Sequence, residues 1–200
     1  MHVLTFTNLY EDLRARLRFL ASPRDRRAER AAKADARTPS DWLDVSHAYF
    51  GVGALQVREE ILALLEMAAG NSTRVVCEIG AYDAGTSLLM SRAVPGVEAL
   101  VVVDLFVKNR WRLRQGVPSG QTIHVVDGDS RHPRTVARVR RKLGGRKIDF
   151  LLIDGDHSFA GVMQDFLTYR HFVRPGGLIA FHDIVPVRTP GSELSAGDVP

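Results

Sequence analysis

The sequence predicts an α/β protein built on a doubly wound, mainly parallel sheet. Three observations support this fold class. The chain has 200 residues with 45% hydrophobic content, enough for one sizeable core. Its strand-like segments are continuous apolar runs, as in strands buried on both faces. These runs alternate with segments of helical periodicity, which favours a parallel sheet covered by helices on both sides.

The N-terminal part is helical but carries too little apolar surface for a core of its own. Residues 9–37 are rich in arginine and alanine, and the sequence SPRDRR interrupts them. We interpret residues 1–50 as a helical appendage and residues 51–200 as the sheet domain. That domain opens with a helix from Gln56 to Ala69, where Val57, Ile61, Leu64, Leu65 and Ala68 recur at helical spacing before Gly70.

Five strands and three helices follow in the predicted sheet domain. The strands are RVVCEIG, EALVVVDLF, QTIHVVDGD, IDFLLIDG and GLIAFHDI, and the helices are TSLLMSRAV, RTVARVRRKL and FAGVMQDFLTYRHF. We find no internal repeat.

Composition narrows the cellular context and the partners. The formal net charge is +4, a mild bias that does not by itself indicate a nucleic-acid partner, and no platform of aromatic and basic residues is visible. Cys77 is the only cysteine, so no internal disulfide is possible. No apolar run approaches membrane-spanning length and no signal-peptide core is visible. We therefore expect a cytoplasmic protein without a membrane or nucleic-acid partner.

Polar side chains cluster at the ends of the predicted strands, where ligands bind in sheets of this type. Successive strands end in Glu78 and Gly80, Asp104, Asp127 and Asp129, Asp154 with Asp156 and His157, and His182 with Asp183. Helix caps and turns account for some of these residues, notably Ser158. Carboxylates at so many strand ends indicate a binding site.

The first strand and helix are joined by a glycine-containing loop that suits close approach of a ligand. In CEIGAYDAGTSLLM the acidic Glu78 precedes Gly80, and the spacing from Gly80 to Gly85 differs from the G-x-G-x-x-G of dinucleotide enzymes. Asp104, at the end of the second strand, stands where a carboxylate accepts hydrogen bonds from both hydroxyls of a ribose. The pattern indicates an adenosine-containing ligand.

These motifs resemble those of the class I S-adenosylmethionine (SAM)-dependent methyltransferases. The segments EIGAYDAGTS, VVDGDS, LLIDGDHSF and PGGLIAFHDI are similar to the branch of macrocin-type sugar O-methyltransferases and cephalosporin-hydroxylase-like proteins. The resemblance runs from about Gln56 to Ile184. It implies a Rossmann-like fold in which Glu78, Gly80 and Gly85 line the methionine and ribose side of SAM, Asp104 holds the ribose, and Asp129 with Ser130 lies near the adenine. Ala84 departs from this branch, which often has glycine there.

The resemblance also implies a metal and a base. It makes Asp154, His182 and Asp183 the ligands of a divalent cation and His157 the general base. Since hard cations prefer oxygen ligands, His182 leaves three interpretations open: a metal other than magnesium, magnesium on the two aspartates, or a second base without metal. We place magnesium on the two aspartates first. Asp156 either caps the helix that begins near Phe159 or orients His157, and we favour the cap.

The end of the sequence sets a further expectation. The fold normally adds an antiparallel strand pair after the fifth strand, and this sequence stops at Pro200 before such a pair. The fifth strand would then present an open edge unless another chain or the N-terminal segment covers it. The sequence leaves three interpretations open: a fragment, a shortened gene product, or a homo-oligomer in which a second copy of the chain covers the edge.

Two functions remain open from the sequence. The first is a SAM-dependent O-methyltransferase acting on a hydroxyl of a sugar or hydroxylated natural product with magnesium assistance. The alternative is a non-catalytic nucleoside-binding or scaffold module, either a fragment or a degenerate methyltransferase. An NAD-dependent oxidoreductase is disfavoured because the glycine spacing differs.

Overall fold

The computed structural model describes residues 2–49 and 57–182. Eight α-helices lie in these ranges: α1 (His2–Ala21), α2 (Pro23–Asp35), α3 (Pro39–Tyr49), α4 (Arg58–Gly70), α5 (Gly85–Ala93), α6 (Arg110–Gly116), α7 (Pro133–Leu143) and α8 (Phe159–Tyr169). The five described strands are β1 (Val75–Ile79), β2 (Ala99–Asp104), β3 (Thr122–Asp127), β4 (Ile148–Ile153) and β5 (Val173–Phe181).

The described strands form one parallel sheet in the order β3, β2, β1, β4, β5. The strand order reverses between β1 and β4, which is the switch point of a doubly wound sheet. Helices cover both faces: one core cluster joins the sheet to α3, α4 and α5, and the other joins it to α7 and α8. The predicted fold class is confirmed.

The helical N-terminal part breaks where its sequence predicts an interruption. Ser22 is the N-cap of α2, its hydroxyl accepts a hydrogen bond from the backbone N–H of Asp25, and Pro23 occupies the first helical position. Further along, Leu43 and Val45 of α3 are buried in the same cluster as α5. The helices before the sheet therefore contribute to the core that supports it.

Two details of the fold differ from the sequence prediction. The connection between β2 and β3 contains the short helix α6. This helix was not predicted, because its sequence RWRLRQG is short and rich in arginine. In α4, Ile61, Leu65 and Ala68 are buried as expected, but Val57 precedes the helix and is exposed. No helix in the described ranges is long and apolar enough to cross a membrane.

The strand pair that we expect to be missing concerns residues after 182, which lie outside the described ranges. Within those ranges β5 pairs with β4 alone.

Candidate functional site

The carboxyl ends of the central strands converge on one cavity of about 680 Å³. The residue that directly follows β1, β3 or β4 still forms a sheet-type hydrogen bond to the neighbouring strand. The loops after these three strands therefore start at the same edge of the sheet. The N–H of Gly80 donates to the carbonyl of Val103, that of Gly128 to Asp104, and that of Asp154 to Ile79, each at 2.8 Å. Six of the predicted site residues line the cavity: Gly80, Asp104, Asp129, Ser130, Asp154 and His157.

Gly80 is required by the close approach of two loops. Its φ is +87°, and a Cβ placed on it would lie 2.1 Å from the carbonyl oxygen of Asp154. No side chain fits that space, so the β1 and β4 loops pack backbone against backbone at the floor of the cavity.

Asp104 is fixed by the backbone on both sides. Its Oδ2 accepts from the N–H of Tyr82 at 2.8 Å and its Oδ1 accepts from the N–H of Phe106 at 2.9 Å. Each carboxylate oxygen has two lone pairs, so both can still accept from a ligand hydroxyl. The carboxylate is therefore held in one orientation at the cavity wall.

Glu78 and Gly85 are buried and do not line the cavity. Glu78 is 3% exposed and accepts a hydrogen bond from the hydroxyl of Ser87 in α5. Burial raises the pKa of Glu78 to about 8. Just before Gly85, the buried Ala84 has φ of 60° and ψ of 25° in the left-handed region. The glycine that the related branch often carries there would adopt this conformation without strain.

The 129–131 segment forms the side of the cavity next to β3. The Oδ1 of Asp129 accepts from the backbone N–H of Arg131 at 3.0 Å, and this bond, aided by the Arg131 side chain, lowers the pKa of Asp129. The hydroxyl of Ser130 donates to Oδ1 of Asp165 at 2.6 Å. Arg131 crosses towards the β4 loop, where its Nη1 lies 2.8 Å from Oδ2 of Asp156.

Asp156 does not cap α8. The cap is Ser158, whose Oγ accepts from the N–H of Gly161 at 3.1 Å, so the prediction for Ser158 is confirmed and our preferred interpretation of Asp156 is wrong. Asp156 instead accepts from the N–H of Ser158 at 3.0 Å and pairs with Arg131. A turn formed by the Asp156 side chain thus precedes the cap.

Asp154 lies between two imidazoles. Its Oδ1 is 2.9 Å from Nδ1 of His182 and 3.5 Å from Nε2 of His157. The side chain of His157 is 51% exposed, whereas those of Asp154 and His182 are 15% and 16% exposed. The two imidazole rings meet edge to face with centroids 6.2 Å apart. His157 therefore faces the open side of the cavity, and His182 lies deeper against Asp154.

The predicted metal site is represented only in part. Asp183 lies outside the described residues. Across residues 2–49 and 57–182, no group of three or more His, Cys, Asp or Glu side chains is arranged to hold a metal ion. A single carboxylate with an imidazole within hydrogen-bonding distance does not make a magnesium site, since that ion requires a near-octahedral set of oxygens.

Sequence reasoning missed several residues of the site. Tyr82, Leu105 and Arg131 line the cavity, and Asp165 holds Ser130 from behind. Tyr82 could have been predicted from the sequence, because it lies between Gly80 and Gly85 in the middle of the loop expected to bind the ligand. The positions of Arg131 and Asp165 depend on contacts between distant segments.

Comparisons with solved structures support the fold. MycE methyltransferase from the mycinamycin biosynthetic pathway, in complex with Mg, SAH and mycinamycin VI, aligns at 21% identity and a TM-score of 0.54. The alignment covers 74% of this chain and 40% of that one. TomG from Streptomyces achromogenes, an O-methyltransferase involved in tomaymycin synthesis and solved with SAM, aligns at 19% identity and a TM-score of 0.52, covering 74% and 66%. An O-methyltransferase from Bacillus cereus in complex with SAH aligns at 18% identity and a TM-score of 0.52, covering 72% and 66%.

The aligned part of this chain thus spans 40% of the MycE chain and about two thirds of the TomG and Bacillus cereus chains. No protein of curated function matches it significantly in sequence. The family model described as Methyltransferase domain, however, matches residues 67–184. These residues contain the five described strands and every motif that resembles the SAM-dependent enzymes. Since the match spans more than half of the sequence, the chain belongs to the methyltransferase domain family, and its predicted resemblance to the class I SAM-dependent methyltransferases is confirmed.

Proposed function

We propose that this protein is a SAM-dependent O-methyltransferase that acts on a hydroxyl of a sugar or hydroxylated natural product. One observation carries the proposal: a single cavity contains both a fixed carboxylate suited to a ribose, Asp104, and an acid–base pair, Asp154 and His157. Its volume of about 680 Å³ falls in the range of small-molecule sites.

The cofactor would occupy the side of the cavity nearest β1, β2 and β3. Asp104 would accept hydrogen bonds from the ribose hydroxyls, and Gly80 would let the backbone approach the ligand closely. Asp129 and Ser130 would lie beside the adenine, and Leu105, which is 76% exposed, offers an apolar surface at the cavity wall. Glu78 and Gly85 would support the loop between β1 and α5 from the protein interior, without contacting the cofactor themselves.

The acceptor would approach from the side of His157. Its hydroxyl oxygen attacks the sulfonium methyl carbon, the carbon–sulfur bond breaks, and the sulfur leaves as the neutral thioether SAH. The proton of the hydroxyl passes to His157, which we propose as the general base. Asp154 Oδ1, at 3.5 Å from His157 Nε2, stabilises the imidazolium that forms. The protein supplies alignment and proton transfer, since the cofactor carries the activated methyl group.

The steps above involve only residues of the chain, and Asp183, one of the predicted metal ligands, lies outside the described residues. Magnesium assistance stays a prediction, with Asp154 and Asp183 as the preferred ligands of magnesium and His182 as a ligand if the metal is a different one. MycE is described in complex with Mg, which is the support that the comparisons give to this prediction.

The acceptor class rests on two kinds of support. MycE was solved with mycinamycin VI, and TomG takes part in tomaymycin synthesis, so enzymes of this fold act in natural-product pathways. In this chain the cavity also reaches exposed residues, with His157 and Tyr82 each about half exposed. Such an opening suits an acceptor larger than the space beside the cofactor.

A methyl-transfer assay on the full chain tests the proposal. Labelled SAM would be incubated with a panel of hydroxylated sugars and glycosylated natural products, and mass spectrometry would locate the transferred methyl group. We expect an oxygen-linked methyl group on at least one acceptor. Tight SAM binding with no transfer to any acceptor would instead support the non-catalytic nucleoside-binding module.

A further inference from the structure

One buried carboxylate near the cavity, Asp165, takes no part in the scheme above. Asp165, in the middle of α8, is 1% exposed, and its Oδ1 accepts the hydroxyl of Ser130 at 2.6 Å. A carboxylate costs free energy to bury unless it is hydrogen-bonded. Burial raises the pKa of Asp165 and the hydroxyl of Ser130 opposes that shift. The hydrogen bond from Ser130 therefore offsets part of the free-energy cost of burying Asp165.

A second residue of α8 holds the same serine. The hydroxyl of Tyr169, which is fully buried, donates to the backbone carbonyl of Ser130 at 2.8 Å. Asp165 and Tyr169 are four residues apart in one helix, so they lie on the same face. Together they hold both the side chain and the backbone of Ser130.

The same helix also supports the catalytic side of the cavity. α8 begins directly after His157 and Ser158, and Ser158 is its N-cap. Asp165 reaches up to this loop as well, because a Cβ placed on Gly155 would lie 3.6 Å from Asp165 Oδ2. The same helix, α8, therefore follows the loop of His157 and holds the loop of Ser130 through Asp165 and Tyr169.

We propose that Asp165 and Tyr169 are positioning residues that fix the 128–131 loop and thereby set the affinity for the cofactor without touching it. This inference rests on the proposed function. It predicts that loosening Ser130 weakens SAM binding, because Ser130 lines the cavity proposed for the cofactor.

The test compares four variants of the full chain. Asp165→Ala removes the acceptor, Asp165→Asn keeps an oxygen that can accept from Ser130, Tyr169→Phe removes the second contact, and Gln164→Ala changes an exposed residue of the same helix as a control. Two quantities are measured: hydrogen exchange of the amides in residues 128–131 without cofactor, and the dissociation constant for SAM.

We expect faster exchange in the 128–131 loop and about tenfold weaker SAM binding for Asp165→Ala, a change typical of one lost hydrogen bond to a charged group. Tyr169→Phe should shift both quantities in the same direction. Asp165→Asn should stay within about threefold of the parent, as should Gln164→Ala. If Asp165→Ala is poorly folded, the Asn and Phe variants still decide the matter.

Unchanged loop exchange in Asp165→Ala or Tyr169→Phe would overturn the inference whether or not the chain binds SAM. Equal weakening by the Asn and Ala variants would also overturn it, because the Asn variant retains an acceptor for Ser130. A loosened loop in a parent chain that does not bind SAM would instead refute the proposed function and leave the loop contact established.

Discussion

The Nδ1 atom of His182 lies 2.9 Å from Oδ1 of Asp154. This contact follows from the sheet, because β4 and β5 are parallel neighbours and the N–H of His182 donates to the carbonyl of Ile153 at 3.1 Å. Asp154 is therefore engaged by an imidazole from the next strand as well as by His157 at 3.5 Å. In this position the Asp154 carboxylate lies close enough to His157 to stabilise the positive charge that His157 gains when it accepts a proton.

Removing divalent cations should leave cofactor binding unchanged. The residues proposed to hold SAM, such as Asp104 and Gly80, are distinct from the Asp154 and His182 pair. We expect dissociation constants for SAM that agree within about twofold in EDTA and in magnesium chloride. A large loss of affinity in EDTA would show that a cation takes part in binding the cofactor.

His157→Gln should slow methyl transfer without affecting cofactor affinity. A general base contributes about 10²- to 10⁴-fold to such a step, so a loss of at least about 100-fold is expected at saturating SAM. The half-exposed position of His157 makes the substitution tolerable for the fold. The same change at His171, which is exposed and does not line the cavity, is the control. Retained activity in His157→Gln would assign the base elsewhere.

Gly80→Ala should destabilise the protein far more than an alanine at another glycine with positive φ. At Gly80 the new Cβ would lie 2.1 Å from a backbone oxygen, whereas at Gly144, with φ of +59°, nothing lies within 4 Å. Urea unfolding should show a loss of about 1 kcal/mol for Gly144→Ala, from left-handed strain alone. Gly80→Ala should lose at least about 3 kcal/mol because the β1 and β4 loops must separate. Similar losses at both positions would contradict the close packing of these loops.

Stability should depend on pH through Glu78. Burial raises the pKa of this carboxyl to about 8 in the folded protein, whereas in the unfolded chain it ionises near pH ~4.3. Between these values the folded state keeps a proton that the unfolded state has lost. Raising the pH therefore destabilises the protein, by at most about 1.4 kcal/mol per pH unit from this group.

Glu78→Gln removes that dependence. The free energy of unfolding of the variant should rise relative to the parent as the pH increases from 5 to 8. The difference should become constant below about pH 3, where the carboxyl is protonated in both states. Urea titrations at several pH values measure it, with Glu66→Gln at an exposed position of α4 as the control. Parallel pH profiles for Glu78→Gln and the parent would show that Glu78 is ionised in the folded protein.

Much of the site could be predicted from the sequence because the carboxyl ends of parallel strands meet at one edge. Asp104, Asp154 and His157 were placed by their positions after apolar runs, and all three line the cavity. Asp165 could not be found in this way. Within FAGVMQDFLTY it looks like an ordinary polar position of a helix, and its burial depends on Ser130, 35 residues earlier.

The ion pairs formed by the strand-end carboxylates show the same limit. Asp156 resembles a helix cap in the sequence, but the cap is Ser158 and Asp156 pairs with Arg131 from the neighbouring loop. Asp127, another strand-end carboxylate, is held by both terminal nitrogens of Arg110 at 2.8 and 2.9 Å. Such partners are set by the packing of segments that are distant in sequence, so local patterns do not reveal them.

Calorimetric titration of the full chain with SAM and with SAH, repeated on Asp104→Ala, tests the central claim most directly. We predict saturable binding of both ligands by the parent, and a loss of at least about tenfold in affinity for Asp104→Ala, because two hydrogen bonds from the ribose to a fixed carboxylate are removed. Absence of binding by a parent chain with a cooperative unfolding transition would contradict the claim that this cavity is a SAM site.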